Sequence, residues 1–127
     1  MARYEHLPIY KKAMELSIYL EEAIKDFGRY HKYAIGAELR SHSRRILRLI
    51  IDANSARERQ PFLHELARQC DMLSTMLVLA KEVRAFKSFK SFHHAAGMAV
   101  TLSKQSEGWL KSSMQQSRNQ QSPTVGG

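Results

Sequence analysis

The sequence predicts an all-α protein, an antiparallel up-down-up-down four-helix bundle, and three observations carry that prediction. Apolar residues recur at intervals of three and four in four successive stretches, the spacing of one buried helix face. Only three prolines and six glycines occur in 127 residues, which leaves little for turns. The stretches are joined by short connections, so consecutive helices, each about 30 Å long, are expected to run antiparallel. A chain of this length suits one domain with one core, expected over residues 1–112.

The first helix is expected over residues 8–27. Pro8 suits a first turn, where its missing N–H would have no partner anyway. Ile9, Ala13, Leu16, Leu20, Ala23, Ile24 and Phe27 then share a face, and Gly28 is expected to end the helix. The connection RYHKY (29–33) is dense in aromatic and basic groups. Rings among cations can stack single-stranded bases, and tyrosines in such places also cover helix ends. The second helix, 34–57, buries Ile35, Leu39, Ile46, Ile50 and Ala53. It also carries Arg40, Arg44 and Arg48 in one file at i, i+4, with Arg45 farther round and no acidic residue between them in sequence. Such a file is either a solvated face or an anion-binding one.

Gln60-Pro61 stops that helix, because proline disfavours helical geometry in the residue before it. The third helix, 61–85, presents Phe62, Leu66, Cys70, Leu73, Leu77 and Ala80 to the core. Ser88 is the expected N-cap of the fourth, 88–111, whose core face reads Phe89, Phe92, His93, Ala96, Val100 and Ser103, with Leu110 farther on. Beyond Ser112 the chain turns to Ser, Gln, Asn and Gly, and residues 113–127 are expected to be a disordered tail.

Several helices carry a second apolar stripe: Tyr10, Met14 and Ile18; Leu47 and Ile51; Met72, Met76, Leu79 and Val83; Ala95, Met98, Leu102 and Trp109. At roughly 25 cal/mol per Å² of apolar area, a row of four such side chains is worth several kcal/mol once removed from water. Either the core face is wide or subunits pack together. Subunit packing is the stronger expectation, with Tyr10, Met14, Met72, Met76, Leu79, Met98, Leu102 and Trp109 at the contact.

Net charge is +8, and it is segregated. Residues 27–59 hold eight basic against three acidic side chains and residues 81–111 hold six against two, while residues 1–26 and 60–80 are slightly acidic. Segregated positive charge points to a polyanionic partner through counterion release and steering. Mean hydropathy is −0.44, no run approaches a membrane span, and the first ten residues lack a signal-peptide core, so no membrane association is expected. The lone Cys70 allows no internal disulfide and fits a reducing cytoplasm.

The residue patterns of catalysis and metal binding do not occur. His93 and His94 are adjacent, so on a helix they point about 100° apart and do not chelate together. His64-Glu65 lacks the second histidine of a zinc-protease helix, and His6, His31 and His42 have no partner at ligand spacing. Nothing matches a phosphate loop, a nucleophile elbow or a dinucleotide fingerprint. No enzyme activity, cofactor or metal is expected.

Five segments in order, LPIYKKAMEL (7–16), RYHKYAIGAELR (29–40), the AR of ANSAR (53–57), LAKEVRAFKSFKSF (79–92) and GWLKS (108–112), are similar to the accessory variability determinant proteins of bacterial and phage diversity-generating retroelements. The resemblance covers nearly all of residues 7–111 and suggests a phage member. It implies a four-helix bundle assembled as a homopentameric barrel with basic surfaces in the bacterial cytoplasm. It further implies binding to the element's reverse transcriptase, and to RNA or DNA, during mutagenic retrohoming. The family motif carries over as Tyr30, His31, Lys32, Tyr33, Gly36, Leu39 and Arg40, and as Lys81, Phe86, Phe89 and Phe92. Of these, the leucine and the phenylalanines are expected in the core, and Gly36 where chains pass closely.

Candidate contacts to polymerase or nucleic acid are Arg40, Arg44, Arg45, Arg48, Arg84, Lys87 and Lys90, joined by His31 and Lys32 if the first and third connections share an end. The competing expectations are a nucleic-acid-binding bundle with no dedicated polymerase, like the related bundles encoded within ribosomal RNA intervening sequences, and a scaffold whose charge only solubilises it.

Overall fold

The computed structural model describes the backbone of residues 3–126 and the side chains of residues 3–119. After one 3-10 turn, Tyr4–His6, come α1 (Pro8–Lys25), α2 (Arg29–Tyr33), α3 (Ile35–Ser55), α4 (Gln60–Glu82) and α5 (Phe89–Gly126). No strand occurs among the described residues. The four long helices are α1, α3, α4 and α5. Each packs on the one before it, and α5 returns to pack on α1, which closes the four into a bundle. The short α2 is a helical turn within the connection RYHKY.

The expected core faces of the first three long helices are buried. On α1, Ile9, Ala13, Leu16, Leu20, Ala23 and Ile24 face inward, with Phe27 just beyond its end. On α3, Leu49 and Ser43 join the expected five, and on α4, Leu63 and Gln69 join Leu66, Cys70, Leu73, Leu77 and Ala80, while Phe62 is half-buried. Each large aliphatic side chain so buried contributes about 1.5–3 kcal/mol relative to an exposed one.

The fourth long helix is rotated from expectation. Its buried residues are Phe92, Ala95, Met98, Ala99, Leu102 and Ser106, while Phe89, His93 and Val100 are exposed. The buried set is offset by about one residue, or 100°. The small side chains Ala95, Ala99 and Ser106 explain it: they let the α5 backbone approach its neighbours, so close packing outweighs the bulk of the aromatic file. Phe89, His93 and Val100 are therefore not core, and Met98 and Leu102 lie within the bundle's own core and not on a free flank.

The helix starts follow their sequence signals more closely than the ends do. Pro8 and Pro61 stand in first turns, and Ser88 Oγ accepts the Ser91 N–H at 3.1 Å. Gly28, expected as the stop of α1, has φ −57° and instead precedes α2. α5 continues to Gly126 where the sequence stops its helix near residue 111; no glycine or proline lies between Lys111 and Ser122 to interrupt the ladder, and Pro123 falls only in the last turn. Gly127 and the side chains beyond Asn119, the rest of the expected tail, lie outside the described residues.

Candidate nucleic-acid interface

The file of arginines on α3 is partly neutralised by its neighbours. Arg40 Nε donates to Glu21 Oε1 at 3.1 Å and Arg44 Nη2 to Glu21 Oε2 at 3.2 Å, both across to α1. Arg45 Nη2 reaches Glu65 Oε2 on α4 at 3.4 Å. Sequence neighbours offered these arginines no acid, whereas the fold brings one from each flanking helix. Arg48 is exposed and makes no ion pair among the described residues.

Glu65 is the hub of a polar link between α3 and α4. It accepts from Gln69 Nε2 at 2.9 Å and Arg68 Nε at 3.1 Å, and Gln69 Oε1 meets His42 Nδ1 at 2.8 Å. The Gln69 bond first, then the Arg68 and Arg45 guanidiniums, hold the Glu65 carboxyl below its usual value against a smaller opposing effect of burial.

The larger unpaired charge lies at one end of the bundle. Phe27, after α1, packs edge-on against Phe86, after α4, with ring centroids 5.1 Å apart, and Lys87 Nζ approaches Asp26 Oδ2 at 3.9 Å. The first and third connections therefore meet at one end, as the antiparallel order required. That end gathers Arg29, His31 and Lys32 of α2 with Arg84, Lys87 and Lys90 around the third connection. Of its Lys and Arg side chains, Lys87 alone has an ion pair among the described residues, and a long one.

Three exposed rings lie among these cations: Tyr30 at 79%, Tyr33 at 73% and Phe89 at 66%. The tyrosines therefore do not cover helix ends. The reason lies in Ala34, whose φ −103° and ψ −96° break the helix between α2 and α3 and turn α2 aside. Gly36 makes the turn possible, because a Cβ there would lie 2.9 Å from Ile24 Cγ2 and 3.1 Å from the His31 carbonyl oxygen. A shallow cleft lined by Arg29, Tyr30, Tyr33 and Ala34 results. On the other side, aromatic contacts run from Phe86 to Phe92 to Phe89, which stacks on His93 at 5.9 Å and 23°. Lys81 lies 5.0 Å from the Phe92 ring centre, a cation–π contact.

Arg84 has φ +61°, the left-handed region. It closes α4 with a Schellman turn, in which Ala85 N–H donates to the Ala80 carbonyl at 2.8 Å and Arg84 N–H to the Lys81 carbonyl at 3.0 Å. Glycine is the usual occupant of such a position. An arginine there costs about 1–2 kcal/mol, and it adds a cation to the basic end.

Of the expected subunit contacts, Met72 and Leu79 are exposed on α4, with Met76 half-buried beside them, and Tyr10 and Met14 are half-buried on α1. Trp109 packs partly against the core. His93 and His94 separate as expected, His94 lying against Tyr19 with centroids 4.5 Å apart. Among the described residues no three of His, Cys, Asp and Glu come together, and no helix is long and apolar enough to cross a membrane. Burial pushes the Cys70 thiol up to about 12. The Cys70 side chain is a buried part of the core.

Sequence reasoning missed Arg29, the exposure of Phe89 and the carboxylates Glu21 and Glu65 that quench the arginine file. Only Arg29 had a signal, its place beside Tyr30. No protein-family model matches the chain, and no curated protein matches it either.

Proposed function

We propose that the protein is a non-catalytic basic adaptor of a phage-borne diversity-generating retroelement. In this role it binds the reverse transcriptase of the same element and nucleic acid, and so supports mutagenic retrohoming in the bacterial cytoplasm. Its five resembling segments supply the family, and one observation supports the binding role: a bundle end whose Arg29, Lys32, Arg84 and Lys90 have no ion pair among the described residues. Uncompensated charge held on rigid helix ends attracts polyanions by releasing their counterions. Assembly as a pentamer belongs to the same proposal. It would repeat the basic end around a ring, and the exposed Met72 and Leu79 offer apolar area for the contact.

A pull-down of the purified protein with the reverse transcriptase encoded beside it, with and without nuclease, tests the role. Capture that survives nuclease is the expected result, and no capture in either arm overturns the adaptor role. Capture lost to nuclease would favour a nucleic-acid-binding bundle with no dedicated polymerase. The exposed Tyr30 and Tyr33 speak for that second possibility, since rings serve bases better than they serve a basic protein patch.

A further inference from the structure

Two basic surfaces compete for the anionic ligand, and they differ in chemistry. On α3, Arg40 and Arg44 pair with Glu21 and Arg45 with Glu65, so Arg48 alone is left without an ion pair among the described residues, and no exposed ring stands on that helix. The end formed by α2 and the α4–α5 connection keeps its cations and exposes Tyr30, Tyr33 and Phe89 among them. Cations contact phosphates on any polynucleotide. Open aromatic faces add something only when bases are unpaired, because a duplex keeps its base faces stacked on one another.

We propose that this end is a stacking site for an unpaired polynucleotide strand. Bases lie on Tyr30, Tyr33 and Phe89, while Arg29, Lys32, Arg84, Lys87 and Lys90 hold the intervening phosphates. The cleft between Arg29, Tyr30, Tyr33 and Ala34 takes one base against a tyrosine face with a guanidinium alongside. Phe89 stands at the first residue of α5, whose dipole adds positive potential for a phosphate next to that ring. Gly36 lets the α2 backbone pack close to α3, and Phe89 is backed by Phe92 and His93. No ring reads a base edge, so sequence preference is weak. The proposal rests on the nucleic-acid half of the adaptor role and not on the polymerase half.

The test is equilibrium binding of labelled oligo(dT), oligo(rU) and a dT·dA duplex of equal length across a salt series. Both single strands are expected to bind at least about tenfold tighter than the duplex. Tyr30→Ala, Tyr33→Ala and Phe89→Ala should each weaken them by about five- to a hundredfold with the salt slope unchanged. Tyr30→Phe should retain binding, since the face and not the hydroxyl is used. Lys90→Gln should lower the slope by about 0.7, and Lys104→Gln, the same loss of charge farther along α5, should leave it alone. These rings are exposed, so unchanged thermal unfolding verifies the fold of each variant.

Single strands that bind no better than duplex, or alanine variants that bind like the parent, would overturn the stacking site while leaving nucleic-acid binding intact. No oligonucleotide binding at low salt would remove the site and that half of the adaptor role together. Nuclease-resistant capture of the polymerase would then still decide the other half.

Discussion

Arg84 shows how one residue can serve charge at the expense of backbone. With φ +61° it occupies the place after α4 where glycine suffers no Cβ penalty, and its side chain joins the basic end. Arg84→Gly is therefore expected to raise the unfolding free energy by about 0.5–1 kcal/mol, the gain in the left-handed region less glycine's extra freedom when unfolded. Urea denaturation reads that gain, and the same variant should bind oligonucleotide more weakly. A variant that loses stability would show that the arginine side chain makes a contact worth more than its strain. The arginines of α3 are the converse case. They are prominent in sequence, yet Arg40 and Arg44 share Glu21 and Arg45 meets Glu65, which leaves Arg48 alone without an ion pair among the described residues, and such half-exposed pairs each contribute only up to about 1 kcal/mol.

Among the elements, α2 and the α3–α4 pair are the informative ones. A Cβ on Gly36 would lie 2.9 Å from Ile24 Cγ2 of α1 and 3.1 Å from the His31 carbonyl oxygen of α2, so Gly36→Ala must displace Ile24 and crowd α2. Overpacking of this kind costs about 1–3 kcal/mol, and the amides of Arg29–Tyr33 should lose hydrogen-exchange protection more than those of α4. Equal loss throughout the bundle would mean that Gly36 matters to the core and not to the placement of α2.

Between α3 and α4, Glu65 has a folded-state pKa below its usual value near 4.5. Its bonds to Gln69, Arg68 and Arg45 thus contribute stability that is complete above the unfolded carboxylate pKa and is lost as pH falls through the lower folded value. The melting temperature should fall in acid, and Glu65→Gln should make the acid fall shallower than in the parent. Identical acid limbs would assign the sensitivity to other carboxylates.

At the scale of the molecule, the bundle exposes apolar side chains in two places: rings among the cations of one end, and an aliphatic row along α4. The basic end lies at the first and third connections, while Met72 and Leu79 stand along α4, 43% and 46% exposed. Leu79→Asp should therefore leave the monomer fold nearly unchanged, since most surface substitutions stay within about 0.5 kcal/mol. It should also shift the sedimentation coefficient toward that of a monomer if this face joins subunits. A parent protein that already sediments as a monomer at micromolar concentration would remove the α4 face from consideration.

The sequence by itself determined the helical class, the four long helices, their antiparallel order and the inward faces of three of them. Those follow from apolar periodicity, prolines and short connections, all of which act between residues near in sequence. The rotation of α5 needed the tertiary structure, because small residues such as Ala95 and Ala99 gain their place from how closely a neighbouring helix can approach. The tertiary structure also decided which cations remain free. Glu21 lies 19 residues from Arg40 and Glu65 lies 20 from Arg45, so only packing could set those charges against each other. The exposure of Tyr30, Tyr33 and Phe89 was settled in the same way, by a break at Ala34 and a turn of α5 that no local pattern encodes. Charge and aromatic rings can be counted along a chain, but whether they are available to a ligand depends on what the fold places beside them.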